Sequence, residues 1–357
     1  MTNILILTGR FGMGHCCAAE AIRQELTKAA PDTAVQVVDL IDYLFPHAHE
    51  LIYRAFYFMV NRYSSVYNFL NRMAGNCSTV PMKRTIAKKM QLLVQTARAD
   101  MVVSTLPVCS QCMALYKEWT QSDIPLYTYI TDISAQEEWI VPHTDAYFVG
   151  SGRTRNALIS KGVAPACIHV CGIPVRQDFR AQTAHPARTD KLEVLIMGGG
   201  LGLLPSSGEF LSALSQIDGL HLTVITGKNK ALFERIRETY PSIEAVGYTE
   251  HVADYMRRAD LLVTKSGGIT TFEAIHCQTP LYIIRPFLMQ EIGNAEYIEQ
   301  NNIGRVIWSD SINMTRDILA LLHDEPLLHK MKRNMDGIRQ TLEPLCPAAC
   351  YKKEGAA

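Results

Sequence analysis

Two glycine-bearing turns carry the residues best suited to chemistry. The first is Gly9-Arg-Phe-Gly12-Met-Gly14-His15, between an apolar run at Asn3–Leu7 and a helical pattern in which Ala18, Ile22 and Leu26 recur. Glycines at such a turn let a ligand approach the backbone, which makes Gly12 and Gly14 candidate contacts. His15 would open the helix beyond the carboxyl end of a strand, where open α/β sheets bind ligands. An imidazole there can take a proton from an acceptor hydroxyl near neutral pH, although a histidine at a helix start can also be structural. The turn is not G-x-G-x-x-G, and no acidic residue marks a ribose site about twenty residues on, which disfavours a nicotinamide cofactor.

The second turn is Lys265-Ser-Gly267-Gly268-Ile-Thr270-Thr271-Phe-Glu273, after the apolar run Leu261–Val263 and before a helix. Backbone amides of Gly267 and Gly268 at a helix start suit a diphosphate, and Thr270 and Thr271 can add hydroxyl donors. Glu273, one turn in, could accept from ribose hydroxyls; an acidic residue near a helix start also needs no ligand to be favourable. Downstream, Gln290, Glu291 and Asn294 could read sugar hydroxyls. Gly199, in Gly198-Gly-Gly-Leu-Gly202, is a further candidate backbone contact. Lys228 could meet diphosphate charge or remain a solvated lysine. No D-x-D triplet occurs, so no metal site of that kind is expected and the charge of a leaving diphosphate falls to helix N-termini and hydroxyls.

These residues need a scaffold of alternating strands and helices. Apolar runs at Asn3–Leu7, Val35–Leu40, Asp100–Ser104, Leu126–Ile130, Ala146–Val149 and Ile168–Val170 alternate with helical patterns in the first half. The polar stretch Arg180–Lys191 breaks the rhythm and reads as a linker. The same grammar restarts with runs at Leu192–Met197, Leu220–Ile225, Ile243–Val246, Leu261–Val263 and Leu281–Ile284. Strands separated by helices imply parallel sheets with right-handed crossovers. The expectation is an α/β protein of two Rossmann-like domains, 1–180 and 191–340, with a C-terminal tail at 341–357 and the active site in the cleft that the domains face.

The 357 residues allow two such cores, and 48% apolar with 20% charged residues suits a soluble globular chain. Formal net charge is zero, but its distribution is uneven. Leu51–Arg98 contains no acidic residue and carries Arg54, Arg62, Arg72, Lys83, Arg84, Lys88, Lys89 and Arg98, with Tyr53, Phe56, Tyr57, Phe58, Tyr63, Tyr67 and Phe69 in its first part. Basic residues among aromatics suit an anionic membrane surface, each contributing on the order of 1 kcal/mol. An aromatic helical core with basic outer faces would give the same composition. No nucleic-acid motif accompanies the charge, and no nucleic-acid partner is expected. No run of about 18 uncharged apolar residues exists to span a membrane. The start of the chain lacks signal-peptide features, so a cytoplasmic setting with reduced thiols is expected for the ten cysteines. Cys109-Ser-Gln-Cys112 has no second pair at zinc spacing, which disfavours a metal or redox role. Cys16 and Cys17 read as small apolar packing residues.

Taken together, Leu7-Thr-Gly-Arg-Phe-Gly-Met-Gly-His15, Tyr129-Ile-Thr-Asp132, Gly172-Ile-Pro-Val-Arg176-Gln-Asp-Phe179, Ile196-Met-Gly-Gly, Gly247-Tyr, Thr264-Lys-Ser-Gly-Gly-Ile-Thr-Thr-Phe-Glu273 and Gln290-Glu-Ile-Gly-Asn294 resemble glycosyltransferase family 28 over roughly residues 3–340. Within it they resemble the bacterial diacylglycerol glucosyltransferases and the monogalactosyldiacylglycerol synthases. The resemblance implies a GT-B fold and inverting transfer of a hexose, glucose before galactose, from a UDP-sugar to diacylglycerol or a related lipid. It also implies peripheral attachment to the inner face of the cell membrane, with acceptor and membrane contact in the first domain and UDP in the second. His15 matches the histidine that closes the family's glycine loop, and Asp132 the aspartate of its Thr-Asp motif; both are candidate catalytic groups. Where bacterial relatives carry a histidine before a tryptophan, this chain has Gln136-Glu-Glu-Trp139, so Glu137 or Glu138 is a candidate to share acid–base work. Three rivals share the architecture: a peptidoglycan-type N-acetylglucosamine transferase, a transferase acting on a soluble small molecule, and a UDP-sugar epimerase.

Overall fold

The computed structural model describes residues 2–62, 83–134, 136–181, 190–198 and 208–345. The chain divides into two compact units, Met1–Gln177 with Leu342–Ala357, and Asp178–Thr341.

In the first unit six parallel strands lie in the order β2-β1-β3-β4-β5-β6: β1 (Asn3–Thr8), β2 (Ala34–Asp39), β3 (Met101–Ser104), β4 (Leu126–Tyr129), β5 (Ala146–Val149) and β6 (Ile168–Val170). Its helices are α1 (Met13–Ala29), α2 (Leu40–Leu44), α3 (His49–Arg62), α4 (Lys83–Thr96), α5 (Pro107–Thr120) and α6 (Gly152–Ser160), with α7 (Gln177–Arg180) at the boundary of the units. Side chains alternate across a strand, and β1 shows the consequence. Ile4 and Ile6 pack with Ala19, Ile22 and Leu26 of α1, while Leu5 and Leu7 pack with Ile86, Met90 and Leu93 of α4 and Cys109, Cys112 and Met113 of α5. A strand buried on both faces reads as a continuous apolar run. Because β2 lies on one side of β1 and β3 on the other, the winding direction reverses between β1 and β3, which makes that gap the topological switch point.

The second unit has the order β12-β11-β10-β7-β8-β9, again all parallel: β7 (Leu192–Met197), β8 (Leu220–Ile225), β9 (Glu244–Val246), β10 (Leu261–Thr264), β11 (Leu281–Ile283) and β12 (Gly304–Val306). Its helices are α8 (Gly208–Ser215), α9 (Lys230–Thr239), α10 (Val252–Arg258), α11 (Gly268–Cys277), α12 (Met289–Gln300), α13 (Met314–Leu322) and α14 (Glu325–Thr341). This is the doubly wound dinucleotide-type order, and its switch point lies between β7 and β10. After Thr341 the chain returns to the first unit, where Glu343 N–H donates to the Val170 carbonyl and Tyr129 Oη donates to the Leu345 carbonyl.

The strand β12 was not expected from the sequence. It is three residues long with Arg305 at its centre, so it carries no apolar run. Its first residue is fixed by a close approach. A Cβ on Gly304 would stand 2.5 Å from the Leu281 carbonyl oxygen and 2.6 Å from the Leu281 Cβ. Neither atom can yield without moving β11. Gly304→Ala is therefore expected to destabilise the second unit by about 3 kcal/mol, read as a lowered urea midpoint for that unit.

Several stretches lie outside the described residues, among them 63–82 of the basic aromatic segment and 346–357 of the expected C-terminal tail. Residues 182–189 hold most of the expected linker, and 199–207 hold the candidate Gly199 with the rest of its glycine turn.

Candidate active site

His15 is the third residue of α1, and Gly12, the residue before that helix, has φ 97°, a left-handed conformation that favours glycine. The turn thus delivers the imidazole to the switch point. There His15 Nδ1 lies 2.9 Å from the Thr105 carbonyl oxygen, just beyond β3, and 2.9 Å from Thr131 Oγ1, just beyond β4. A carbonyl oxygen can only accept, so Nδ1 carries the proton and Nε2 keeps its lone pair. Burial pushes the imidazole pKa down to about 4, so the ring is neutral over the ordinary working range. The product is a tautomer-fixed acceptor of protons.

Asp132 follows Thr131 directly. Burial, reinforced by the nearby Glu138, raises its carboxyl to about 7. Trp139, almost fully buried, sits with its ring 6.4 Å from the His15 ring. The structure separates the two glutamates that the sequence left open. Glu137 is exposed and pairs at 3.8 Å with Lys161, whereas Glu138 is partly buried, has its carboxyl pushed up by burial, and lies close enough to raise Asp132. The Glu138 backbone is pinned by Gln111 Nε2, which donates to its carbonyl at 3.2 Å. Thr105 and Thr131 carry roles that sequence reasoning missed. Thr131 lay inside the Thr-Asp motif and could have been suspected, but nothing local marks the Thr105 carbonyl.

In the second unit the loop 265–267 leaves β10 at the switch point and opens α11. Thr271 donates from Oγ1 to the Gly267 carbonyl at 2.8 Å, so its hydroxyl proton is engaged within the helix, while Thr270 is partly exposed. Ser266 Oγ donates to the Glu291 carbonyl at 2.7 Å, and Asn294 Nδ2 donates to the Ser266 carbonyl at 2.9 Å. Lys265 Nζ lies 3.5 Å from Glu291 Oε1. Glu291 and Asn294 are therefore buried braces that hold the loop against α12, and Gln290 stands half-buried at the start of that helix. Glu273 is partly exposed on α11. Lys228 is exposed, with Nζ 5.8 Å from the centre of the Tyr248 ring.

Among the described residues no group of three or more His, Cys, Asp or Glu could hold a metal ion. Cys109 and Cys112 are buried with burial holding both thiols far from ionisation, Cys112 at about 12, which is not the setting of a reactive thiolate. Cys16 and Cys17 are half-buried and not disulfide-bonded.

Two doubly wound parallel sheets, each with polar groups gathered at its switch point, are the architecture of GT-B enzymes. A spinosyn rhamnosyltransferase superposes with TM-score 0.65 over 96% of this chain and 97% of its own, at 12% identity. The fold is shared beyond transferases: a UDP-N-acetylglucosamine 2-epimerase superposes with TM-score 0.59 over 100% of this chain and 98% of its own, at 13% identity. The class is decided by sequence, and it is glycosyltransferase. The monogalactosyldiacylglycerol (MGDG) synthase family model matches residues 15–175 and the glycosyltransferase family 28 C-terminal domain matches residues 194–342; together they span most of the chain, which belongs to glycosyltransferase family 28. A processive diacylglycerol beta-glucosyltransferase of Bacillus thuringiensis (strain Al Hakam) is 29% identical over 94% of this chain and 89% of its own length.

Proposed function

We propose that this enzyme transfers a hexose, glucose in preference to galactose, from a UDP-sugar to diacylglycerol or a closely related lipid, with inversion at the anomeric carbon. The observation that carries the reading is the His15 imidazole, neutral and with Nδ1 committed to Thr105, so that Nε2 can accept a hydroxyl proton. Support for the acceptor comes from the curated relative, which is named for glucosyl transfer to diacylglycerol.

The step balances as a single displacement. The acceptor hydroxyl oxygen bonds to the anomeric carbon as the bond from that carbon to the diphosphate breaks. The hydroxyl proton passes to His15 Nε2, and Asp132, ionised, steadies the imidazolium or serves as a second base. UDP leaves with the bonding electrons. Its developing charge is met by the amides of Gly267 and Gly268 and the Thr270 hydroxyl, while Thr271 stiffens the helix start that presents them. Gly12 and Gly14 shape the acceptor side, with Gly199 a further backbone contact for the donor. Glu273 accepts from the ribose, Lys228 meets the diphosphate, and Gln290 reads the hexose from a helix start fixed by Glu291 and Asn294. UDP-sugar is a substrate here, and no metal has a role in the scheme.

The membrane contact belongs to Leu51–Arg98, of which 63–82 lie outside the described residues. On α3, Leu51 and Phe58 are 71% and 63% exposed, and Arg54 lies exposed between them. On α4, Lys83, Arg84 and Lys88 are exposed while Ile86, Met90, Leu93 and Val94 are buried. A basic outer face with scattered apolar side chains suits peripheral docking on anionic lipid at the inner face of the cell membrane. Among the described residues no helix is long and apolar enough to cross a membrane.

Mass spectrometry of products tests the reading. UDP-glucose, UDP-galactose and UDP-N-acetylglucosamine are each offered with vesicles containing diacylglycerol and phosphatidylglycerol. Hexosyl-diacylglycerol, most from UDP-glucose, is expected. Transfer from UDP-N-acetylglucosamine alone, or conversion of a UDP-sugar without acceptor, overturns it.

A further inference from the structure

The outer face of α3 is exposed, but its inner face grips the glycine turn that delivers His15. Tyr53 is buried there, and its hydroxyl has two partners. It accepts from the Arg10 backbone N–H at 2.9 Å and donates to the Asp39 carboxylate at 2.7 Å. Asp39, at the end of β2, also accepts from Arg10 Nε at 3.1 Å, which closes a ring of hydrogen bonds through Arg10, Tyr53 and Asp39. The same carboxylate caps α2 by accepting from the Ile41 and Asp42 amides. The Arg10 guanidinium extends the knot to Asp42 at 2.6 Å and to Glu50 of α3 at 3.4 Å, and lies over the Tyr53 ring at 4.8 Å. Phe11 packs edge-on against Tyr53 and Phe56, with ring centres 5.0 and 4.8 Å apart. Glu50, Tyr53 and Phe56 are spaced by three residues, as one helix face requires. None of these side chains appears in the chemistry above, yet they meet two consecutive residues of the glycine turn, Arg10 and Phe11.

We infer that Tyr53 is a positioning residue: through Asp39 and the Arg10 amide, α3 fixes the glycine turn and hence the placement of the His15 imidazole. This rests on the transfer reaction proposed above. The helix that presents Leu51, Arg54 and Phe58 to a lipid surface is then the same helix that sets the acceptor-side base. A phenol is suited to the task because one oxygen both accepts from an amide and donates to a carboxylate, at the end of a rigid ring with few rotamers to lose. Phenylalanine keeps the ring packing on Phe11 and removes both hydrogen bonds.

The test is Tyr53→Phe in the full-length enzyme, assayed for glucosyl transfer from UDP-glucose to diacylglycerol in phosphatidylglycerol-containing vesicles. A displaced catalytic group costs turnover rather than donor binding, and a shift of about 1 Å can cost on the order of 10²-fold. The expected result is a fall in kcat of about ten- to a hundredfold, with KM for UDP-glucose and vesicle co-sedimentation within twofold of wild type. Asp39→Asn, which keeps an oxygen to accept from Tyr53 and cap α2 but loses the charge facing Arg10, is expected to fall between wild type and Tyr53→Phe. The double variant should fall no further than Tyr53→Phe, because both changes open the same ring. Unchanged kcat in Tyr53→Phe, or a loss confined to KM for UDP-glucose, overturns the inference. Additive losses in the double variant also overturn it. Absence of transfer by the wild-type enzyme instead overturns the proposed reaction, so the two failures are distinguishable.

Discussion

Replacing His15 by alanine is expected to lower kcat for lipid glucosylation by about 10³-fold while leaving UDP affinity unchanged. Its Nδ1 is committed to Thr105, which leaves Nε2 as the proposed acceptor of the hydroxyl proton, and the residual rate would rest on Asp132 as second base. The rate–pH profile of the wild-type enzyme separates its role from that of Asp132. With an imidazole pKa near 4, His15 stays neutral through the assay range and contributes no acid limb above pH 5. Asp132, held near 7, does. kcat/KM is therefore expected to rise through about pH 7 and then level, and Asp132→Asn should lower the plateau about a hundredfold and abolish that inflection. A limb that survives in Asp132→Asn would assign it to another group.

The same carboxyl makes a stability prediction of opposite sign to its catalytic one. Its folded pKa lies above the unfolded value of 3.8, so between about pH 4 and pH 7 the folded state holds a proton that the unfolded state has released. Stability from this group falls as pH rises through that window, and the penalty is complete above pH 7. Asp132→Asn should accordingly raise Tm by a few degrees at pH 8 and leave it unchanged at pH 4, in scanning calorimetry of the ligand-free enzyme. For His15 the direction reverses. Its folded pKa lies below the unfolded value of 6.5, so its contribution is present above pH 6.5 and is lost as pH falls toward 4.

Glu273→Ala is expected to weaken UDP binding by about 10²-fold, measured by calorimetric titration with UDP. Hydrogen bonds from a pair of ribose hydroxyls to one carboxylate are charge-assisted, and each contributes roughly 1.5–3 kcal/mol. Glu273→Gln keeps one oxygen acceptor at the same reach and should fall between the two. kcat at saturating UDP-glucose should change far less than KM, because the proposed ribose contact would be the same in the ground and transition states. A variant that loses kcat and keeps UDP affinity would move Glu273 from donor binding to the reacting centre.

Much of this arrangement is written in local pattern. Apolar runs such as Leu5–Leu7 and Leu261–Val263 are continuous because parallel strands are buried on both faces, and that burial is imposed residue by residue. Glycine turns between an apolar run and a helix therefore placed His15 and Gly267–Glu273 beyond the carboxyl ends of their strands, whereas the strand orders that make those positions switch points are a tertiary result. β12 escaped because three residues around Arg305 earn their strand geometry only from the neighbouring β11.

The chemistry of the groups was decided elsewhere. The tautomer of His15 depends on a carbonyl ninety residues away in sequence, and the Asp132 carboxyl is raised by burial that no local window encodes. Burial also turned Glu291 and Asn294 from plausible sugar contacts into braces for the 265–267 loop, and distinguished Glu138 from its exposed neighbour Glu137. Sequence fixes which faces are apolar, because the strand and helix periods are local. Protonation and hydrogen-bond commitment are properties of what surrounds a group, and those surroundings are assembled only when distant strands meet.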